Sequence, residues 1–203
     1  MTIIYLETNS LMAMAKGRNK ELEDFIYSDN DKVKFVIPSI CLMESLVAIE
    51  REEKRSNSFS QTAKIEISEA KRSKELSHSQ SFANYLDISL IDYDKSLRDF
   101  RKRFLHILAY FKIHGELIEP NIAMLEKTFS QPLLLGNKKR RDDFIIQVIL
   151  AHAENNLAIT KAFFSENTKE FTNSNIPQFL ANLGITYFSQ ISNLKAWLNQ
   201  QQN

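Results

Sequence analysis

Asp142-Asp143-Phe144-Ile145-Ile146-Gln147-Val148-Ile149-Leu150-Ala151-His152-Ala153 follows the basic run Lys138-Lys139-Arg140-Arg141. Phe144, Ile145, Val148, Ile149 and Ala153 recur at helical spacing, which predicts a buried helix opening at the two aspartates. Carboxylates in a first helical turn face orphan backbone amides and the positive end of the macrodipole, so the pair reads as a cap. Two acids beside four cations, leading into an apolar helix, also read as part of a metal site facing phosphate. The choice turns on what the rest of the chain places beside this helix.

Far upstream, Thr2 to Leu6 has the β-branched and aromatic content of a buried strand in a parallel sheet, and it ends on Glu7-Thr8-Asn9-Ser10. A carboxylate at the carboxyl end of a first strand lies where open α/β sheets bind ligands. Leu11 to Ala15 starts a helix, residues 16–19 turn the chain, and Glu21 to Tyr27 forms a second helix. Val33 to Ile37 is the next strand, closed by Pro38, which cannot donate to a central ladder. Ser39 is the expected N-cap of a helix running from Ile40 to about Arg55. Within it Glu44, among Cys41, Leu42, Leu46 and Val47, reads either as a dipole-stabilising surface acid or as a carboxylate pointing along the sheet's carboxyl edge.

From Glu50 to about Lys74 the charge density predicts a solvated helix, a polar turn at Ser56-Asn57-Ser58, and a second solvated helix or arm. Phe82 to Tyr110 regains apolar spacing and reads mostly as helix. Arg98, Arg101, Lys102 and Arg103 there alternate with core residues, or form a face for a nucleic-acid backbone. His106 and His114 have no third imidazole or thiolate near them in sequence and are not proposed as ligands. A helix over Asn121 to Phe129 leads into the basic run, and Leu157 to Phe164 is a third strand, ending in Ser165-Glu166-Asn167-Thr168-Lys169-Glu170-Phe171. A short helix to Leu183 is capped by Gly184, Ile185 to Phe188 is a fourth strand, and Asn193 to Leu198 closes the chain. This order predicts an α/β fold with a parallel sheet, one domain over 1–203 with about 51–130 as a helical insertion or arm.

The chain has 203 residues, enough for one sizeable core, and a formal net charge of +1, so any nucleic-acid surface must come from local clustering. The single cysteine, Cys41, excludes an internal disulfide framework and a thiolate zinc cluster, which makes the cytoplasm the expected location. No run approaches the ~18 apolar residues of a membrane span.

Right-handed crossovers bring the carboxyl ends of parallel strands together, so Glu7, Glu44, the group Glu166, Asn167 and Glu170, and Asp142 or Asp143 are expected in one crevice. Oxygen ligands without histidine or cysteine suit Mg²⁺ or Mn²⁺ rather than zinc.

These residues carry a resemblance. Glu7-Thr8-Asn9-Ser10 after a strand, Ile37-Pro38-Ser39 leading to Glu44, Asp143 opening an apolar helix, and Ser165-Glu166-Asn167 followed by Glu170-Phe171 together resemble the PIN-domain ribonucleases, over residues 2–16, 33–50 and 142–188. The resemblance implies an α/β/α sandwich and a metal-dependent endoribonuclease hydrolysing RNA phosphodiesters, often the toxin of a bacterial toxin-antitoxin pair. It implies Glu7, Glu44, Asp143 and Asn167 as catalytic positions, the first three on Mg²⁺ or Mn²⁺, supported by Asn9, Asp142, Ser165, Glu166 and Glu170. Asp143 takes the metal and Asp142 the cap by the Asp-x-x-Ile spacing to Ile146, and Lys138, Lys139, Arg140 and Arg141 contact the RNA backbone. An antitoxin protein and a homodimer are the implied protein partners, with no membrane. Glu7 stands where the family usually has aspartate, and Asn167 is neutral, so the alternatives are a catalytically degraded RNA- or partner-binding module, or an enzyme acting on DNA or a small phosphate ester.

Overall fold

The computed structural model describes residues 1–28, 30–134, 140–171 and 176–201, with Lys169 and Glu170 given by their backbone alone. At its centre lies β1 (Thr2–Leu6), every residue of it buried, because a strand covered on both faces turns no side to water. β2 (Val33–Pro38) pairs with it in parallel on one side, Thr2 opposite Val33, and β3 (Gly115–Ile118) lies beyond β2. On the other side β4 (Thr160–Phe164) sets Phe164 opposite Leu6, and β5 (Ile185–Phe188) lies beyond it. The order is therefore β3-β2-β1-β4-β5, all parallel. The chain steps outward from β1 to one edge, then returns to the opposite side of β1, and that reversal leaves a crevice beyond the carboxyl ends of β1 and β4.

The expected α/β parallel sheet is present with one strand more than the four read from sequence. Gly115-Glu116-Leu117-Ile118 follows a long helix without a loop and so reads as its tail. Gly115 makes the transition possible: a Cβ there would stand 2.9 Å from the carbonyl oxygen of Phe111. Gly184, at φ 69°, turns the chain into β5 as expected.

α1 (Thr8–Ala15) and α2 (Lys20–Tyr27) follow β1, and α3 (Ser39–Arg72) follows β2 directly. Pro38, not Ser39, occupies the N-cap of α3, because strand passes into helix with no intervening residue, and the Ser39 hydroxyl donates instead to Glu119 Oε2 at 2.8 Å. α4 (Ser77–His114) returns antiparallel to α3, the pair forming a hairpin of 34 and 38 residues, each helix ~50 Å long.

The polar turn expected at residues 56–58 does not exist. Ile49, Ser56, Ala63 and Ala70 recur every seven residues on α3, and Ala83, Leu90, Leu97, Phe104 and Phe111 do so on α4, as in a coiled coil. Ser56 is buried in this seam, where a small side chain lets two helices approach closely. The near half of α4 gives Phe100, Phe104, Ile107 and Phe111 to the main core, while the far half shares a separate cluster of Ala63, Ile67, Ala83 and Leu90 with α3. α5 (Ile122–Ser130), α6 (Arg140–Glu154), α7 (Thr168–Phe171), α8 (Ile176–Asn182) and α9 (Ile191–Gln201) complete the fold. No helix among the described residues is long and apolar enough to cross a membrane.

Candidate acidic site at the carboxyl edge of the sheet

Glu7 is the one residue between β1 and α1, and its extended backbone (φ −123°) turns the carboxylate back over the first helical turn. Oε2 accepts a hydrogen bond from the Asn9 backbone N at 2.8 Å, so Glu7 caps α1. Oε1 accepts from the Ser165 hydroxyl at 2.9 Å, and because Ser165 follows β4 this bond crosses the switch point of the sheet. The Ser165 Oγ in turn accepts from Asn167 N at 3.1 Å, and its carbonyl accepts from the Tyr187 hydroxyl at 2.8 Å. Only 4% of Glu7 is exposed. Burial pushes its carboxyl up to about 7 against the pull of both hydrogen bonds, and the charges of Asp142 and Glu44 add to the rise. The same burial, with Glu7's charge nearby, pushes the Tyr187 phenol up to about 12.

Glu44 lies in the second turn of α3 and points along the sheet edge rather than into open water, with its side chain 13% exposed. Oε2 accepts from the Thr8 hydroxyl at 2.5 Å, and Oε1 lies 3.2 Å from Arg141 Nη1. Cys41, one turn earlier, is fully buried, and burial pushes its thiol up, so it is held neutral beside Thr8.

The two aspartates that open α6 go separate ways. Asp143 is 1% exposed, and its Oδ1 accepts from the backbone N of Leu133 at 2.6 Å and of Leu134 at 2.7 Å, pinning the chain that follows α5. Burial raises its carboxyl and those two bonds oppose the rise, while Oδ2 has no hydrogen-bond partner among the described residues. Asp142 is the one whose charge reaches Glu7.

Glu7, Glu44, Asp142, Ser165 and the Asn167 backbone thus meet at one edge. Asn9 takes part through its own backbone N, and Glu166 turns to Asn19, whose Nδ2 donates to Oε1 at 2.9 Å on the surface. Arg141 contacts an acid, and Arg140 sets its guanidinium carbon 4.6 Å from the Phe129 ring centroid. Lys138 and Lys139, and the side chain of Glu170, lie outside the described residues. Thr8 and Tyr187 orient Glu44 and Ser165, roles that no sequence pattern marks. Thr8 lies within Glu7-Thr8-Asn9-Ser10, but nothing in spacing shows that its hydroxyl reaches a residue on another helix.

Among the described residues no three acidic, histidine or cysteine side chains stand close enough to enclose a metal ion. The donor chemistry nevertheless suits a hydrated one. Each Glu7 oxygen accepts one hydrogen bond and retains lone-pair capacity, and a Mg²⁺ that keeps several waters needs only one or two carboxylates. A cleft of about 620 Å³ lies apart at the root of the hairpin among Lys16, Arg18, Glu52, Arg55, Asp92 and Arg103. Its charges are mixed and largely paired, Arg103 with Glu23 at 2.7 Å and Lys16 with Glu52, which does not favour an anion.

A five-stranded parallel sheet with a buried acid at its switch point defines an α/β domain with carboxylates beyond its strand ends. The sequence profile of the PIN domain matches residues 4–171, and the chain belongs to the PIN-domain family. Domains of this family have a nuclease-type fold, commonly act on RNA and generally use divalent metal ions. No curated protein matches the chain.

Proposed function

We propose that the protein is a metal-dependent endoribonuclease whose working acids are Glu7, Glu44 and Asp142, with Asp143 holding the approach to α6. The observation that supports this is the Glu7 carboxylate, buried at the switch point with the charges of Asp142 and Glu44 around it and, among the described residues, no cation among its hydrogen-bond partners. A hydrated Mg²⁺ or Mn²⁺ held directly by one or two of these acids, the others acting through its waters, would polarise an attacking water and offset charge developing on the phosphate. Ser165 and the Asn9 amide fix the Glu7 carboxylate, and the Thr8 hydroxyl fixes Glu44, so neither side chain has to be ordered when substrate arrives. Arg141 meets the scissile phosphate after leaving Glu44. A toxin role with an antitoxin partner, a homodimer and a cytoplasmic site of action are part of the proposal and come from the resemblance read in the sequence.

A second reading, an RNA- or partner-binding module without catalysis, draws on one observation: Arg141 already neutralises Glu44. Incubation of a fluorescent RNA with Mg²⁺, with Mn²⁺ and with EDTA decides between them, using Glu7→Gln and Glu44→Gln purified alongside. Cleavage with either ion, absent in EDTA and in both variants, supports the nuclease. No cleavage with either ion establishes the second reading, and undiminished cleavage in EDTA removes the metal.

A further inference from the structure

α5 rests Met124 on the main core and buries Thr128, which turns Ile122, Leu125 and Phe129 outward. Their spacing places them on one helical face, and the ring of Phe129 ends the stripe, 62% exposed. There the Arg140 guanidinium lies over it. The next residue, Arg141, reaches Glu44. Consecutive Cα atoms are ~3.8 Å apart, so two adjacent arginine side chains span the distance from the exposed ring to the acidic edge.

An exposed ring faced by a guanidinium is a surface on which an unpaired nucleobase stacks. Ile122 and Leu125 alone would suit an apolar peptide segment. The aromatic end, its cation and a second cation beside phosphodiester chemistry favour a nucleic-acid strand. In a duplex both faces of each base are already covered by neighbours, so only unpaired RNA has a face to offer.

We infer that Phe129 and Arg140 form a stacking platform for an unpaired base of single-stranded RNA, flanking the phosphate presented to Glu7 and Glu44. The inference rests on the nuclease reading and adds to it the strand state of the substrate. It also gives Arg140 a different task from the backbone contact expected from sequence.

Binding of a short labelled single-stranded RNA is measured by fluorescence anisotropy in EDTA, where the proposed cleavage is stopped, for wild type, Phe129→Ala and Phe129→Tyr. Loss of one stacked base weakens binding about tenfold or more, so Phe129→Ala should show that loss and Phe129→Tyr should stay within about twofold of wild type. Duplex RNA of the same sequence should bind more weakly and equally to all three. With 2-aminopurine walked along the strand, one position should be quenched by wild type and not by Phe129→Ala, and an abasic nucleotide there should weaken binding to wild type and Phe129→Tyr but not to Phe129→Ala. Equal single-strand affinity of wild type and Phe129→Ala overturns the platform and leaves the nuclease standing. A weakened Phe129→Ala with no quenched position, or one that changes only oligomeric state, assigns the stripe to a protein contact and overturns the platform. Wild type that binds no RNA overturns both.

Discussion

Arg141 Nη1 lies 3.2 Å from Glu44 Oε1, so a cation from the first turn of α6 occupies an acid on the second turn of α3. A divalent ion at Glu44, as proposed, would compete with this guanidinium for the same carboxylate, and a partly exposed ion pair contributes about 0.2–1 kcal/mol.

Arg141→Gln should therefore bind Mn²⁺ about 1.5- to fivefold more tightly than wild type in calorimetric titration. Its affinity for RNA should fall, with a shallower dependence on salt, because one cation fewer faces the backbone. Unchanged or weaker Mn²⁺ binding would remove Arg141 as the competing charge.

The two aspartates should separate by readout. Asp142→Asn should lose most cleavage, about 100-fold or more as expected for a metal-site acid. Asp143→Ala strips an acceptor from two buried amides and should cost about 2–4 kcal/mol of stability. Asp143→Asn, which keeps that acceptor, should retain more activity than Asp142→Asn. The opposite ranking of kcat restores the assignment that sequence spacing made.

Glu7 makes the metal-free protein sensitive to pH in a defined direction. Its folded carboxyl, at about 7, lies above the ordinary value of 4.5, so folding favours the protonated form. That contribution is complete below the unfolded value and is lost as pH rises through about 7. Urea midpoints in EDTA should fall from about pH 5.5 to about pH 8 by an amount worth about 1–3 kcal/mol, and Glu7→Gln should abolish that part of the fall. Mn²⁺ at the higher pH should restore wild type and not the variant. Parallel curves for the two proteins would show that Glu7 is ionised at little cost.

The far half of the α3–α4 hairpin should be dispensable for folding, since its cluster of Ala63, Ile67, Ala83 and Leu90 is separate from the main core. Replacing residues 61–91 with a short turn keeps the Phe59–Tyr93 ring contact, with centroids 5.5 Å apart, at the new tip. The shortened protein should keep cooperative unfolding and a Tm within about 5 °C of wild type, by circular dichroism. Loss of cooperativity would make the hairpin part of the main folding unit.

The strands other than β3 were legible because each is an apolar run cut off by polar residues or proline. β3 was not: its pairing with β2 is set by where α4 ends, a tertiary fact. The continuity of α3 was hidden for the opposite reason. Ser56 looks like a turn former in isolation and is a seam residue only when the seven-residue repeats of both helices are laid side by side. Glu7 and Glu44 could be placed at the edge because strand ends fix them. Asp143 is ranked over Asp142 by motif spacing alone, since α6 is buried over nearly all its circumference from Ile145 to Leu150 and its apolar pattern does not report how the helix is rotated.

The Glu7–Ser165 bond joins residues 158 positions apart, across the strand made first and the strand made fourth. During synthesis β1 can find β2 early, yet its other side stays open until β4 has left the ribosome. Glu7 on a nascent chain accordingly lacks its serine until most of the protein exists. Any activity that needs both residues is thus withheld from incomplete products by strand order alone, and fragments released before residue 165 should be inert even at high concentration.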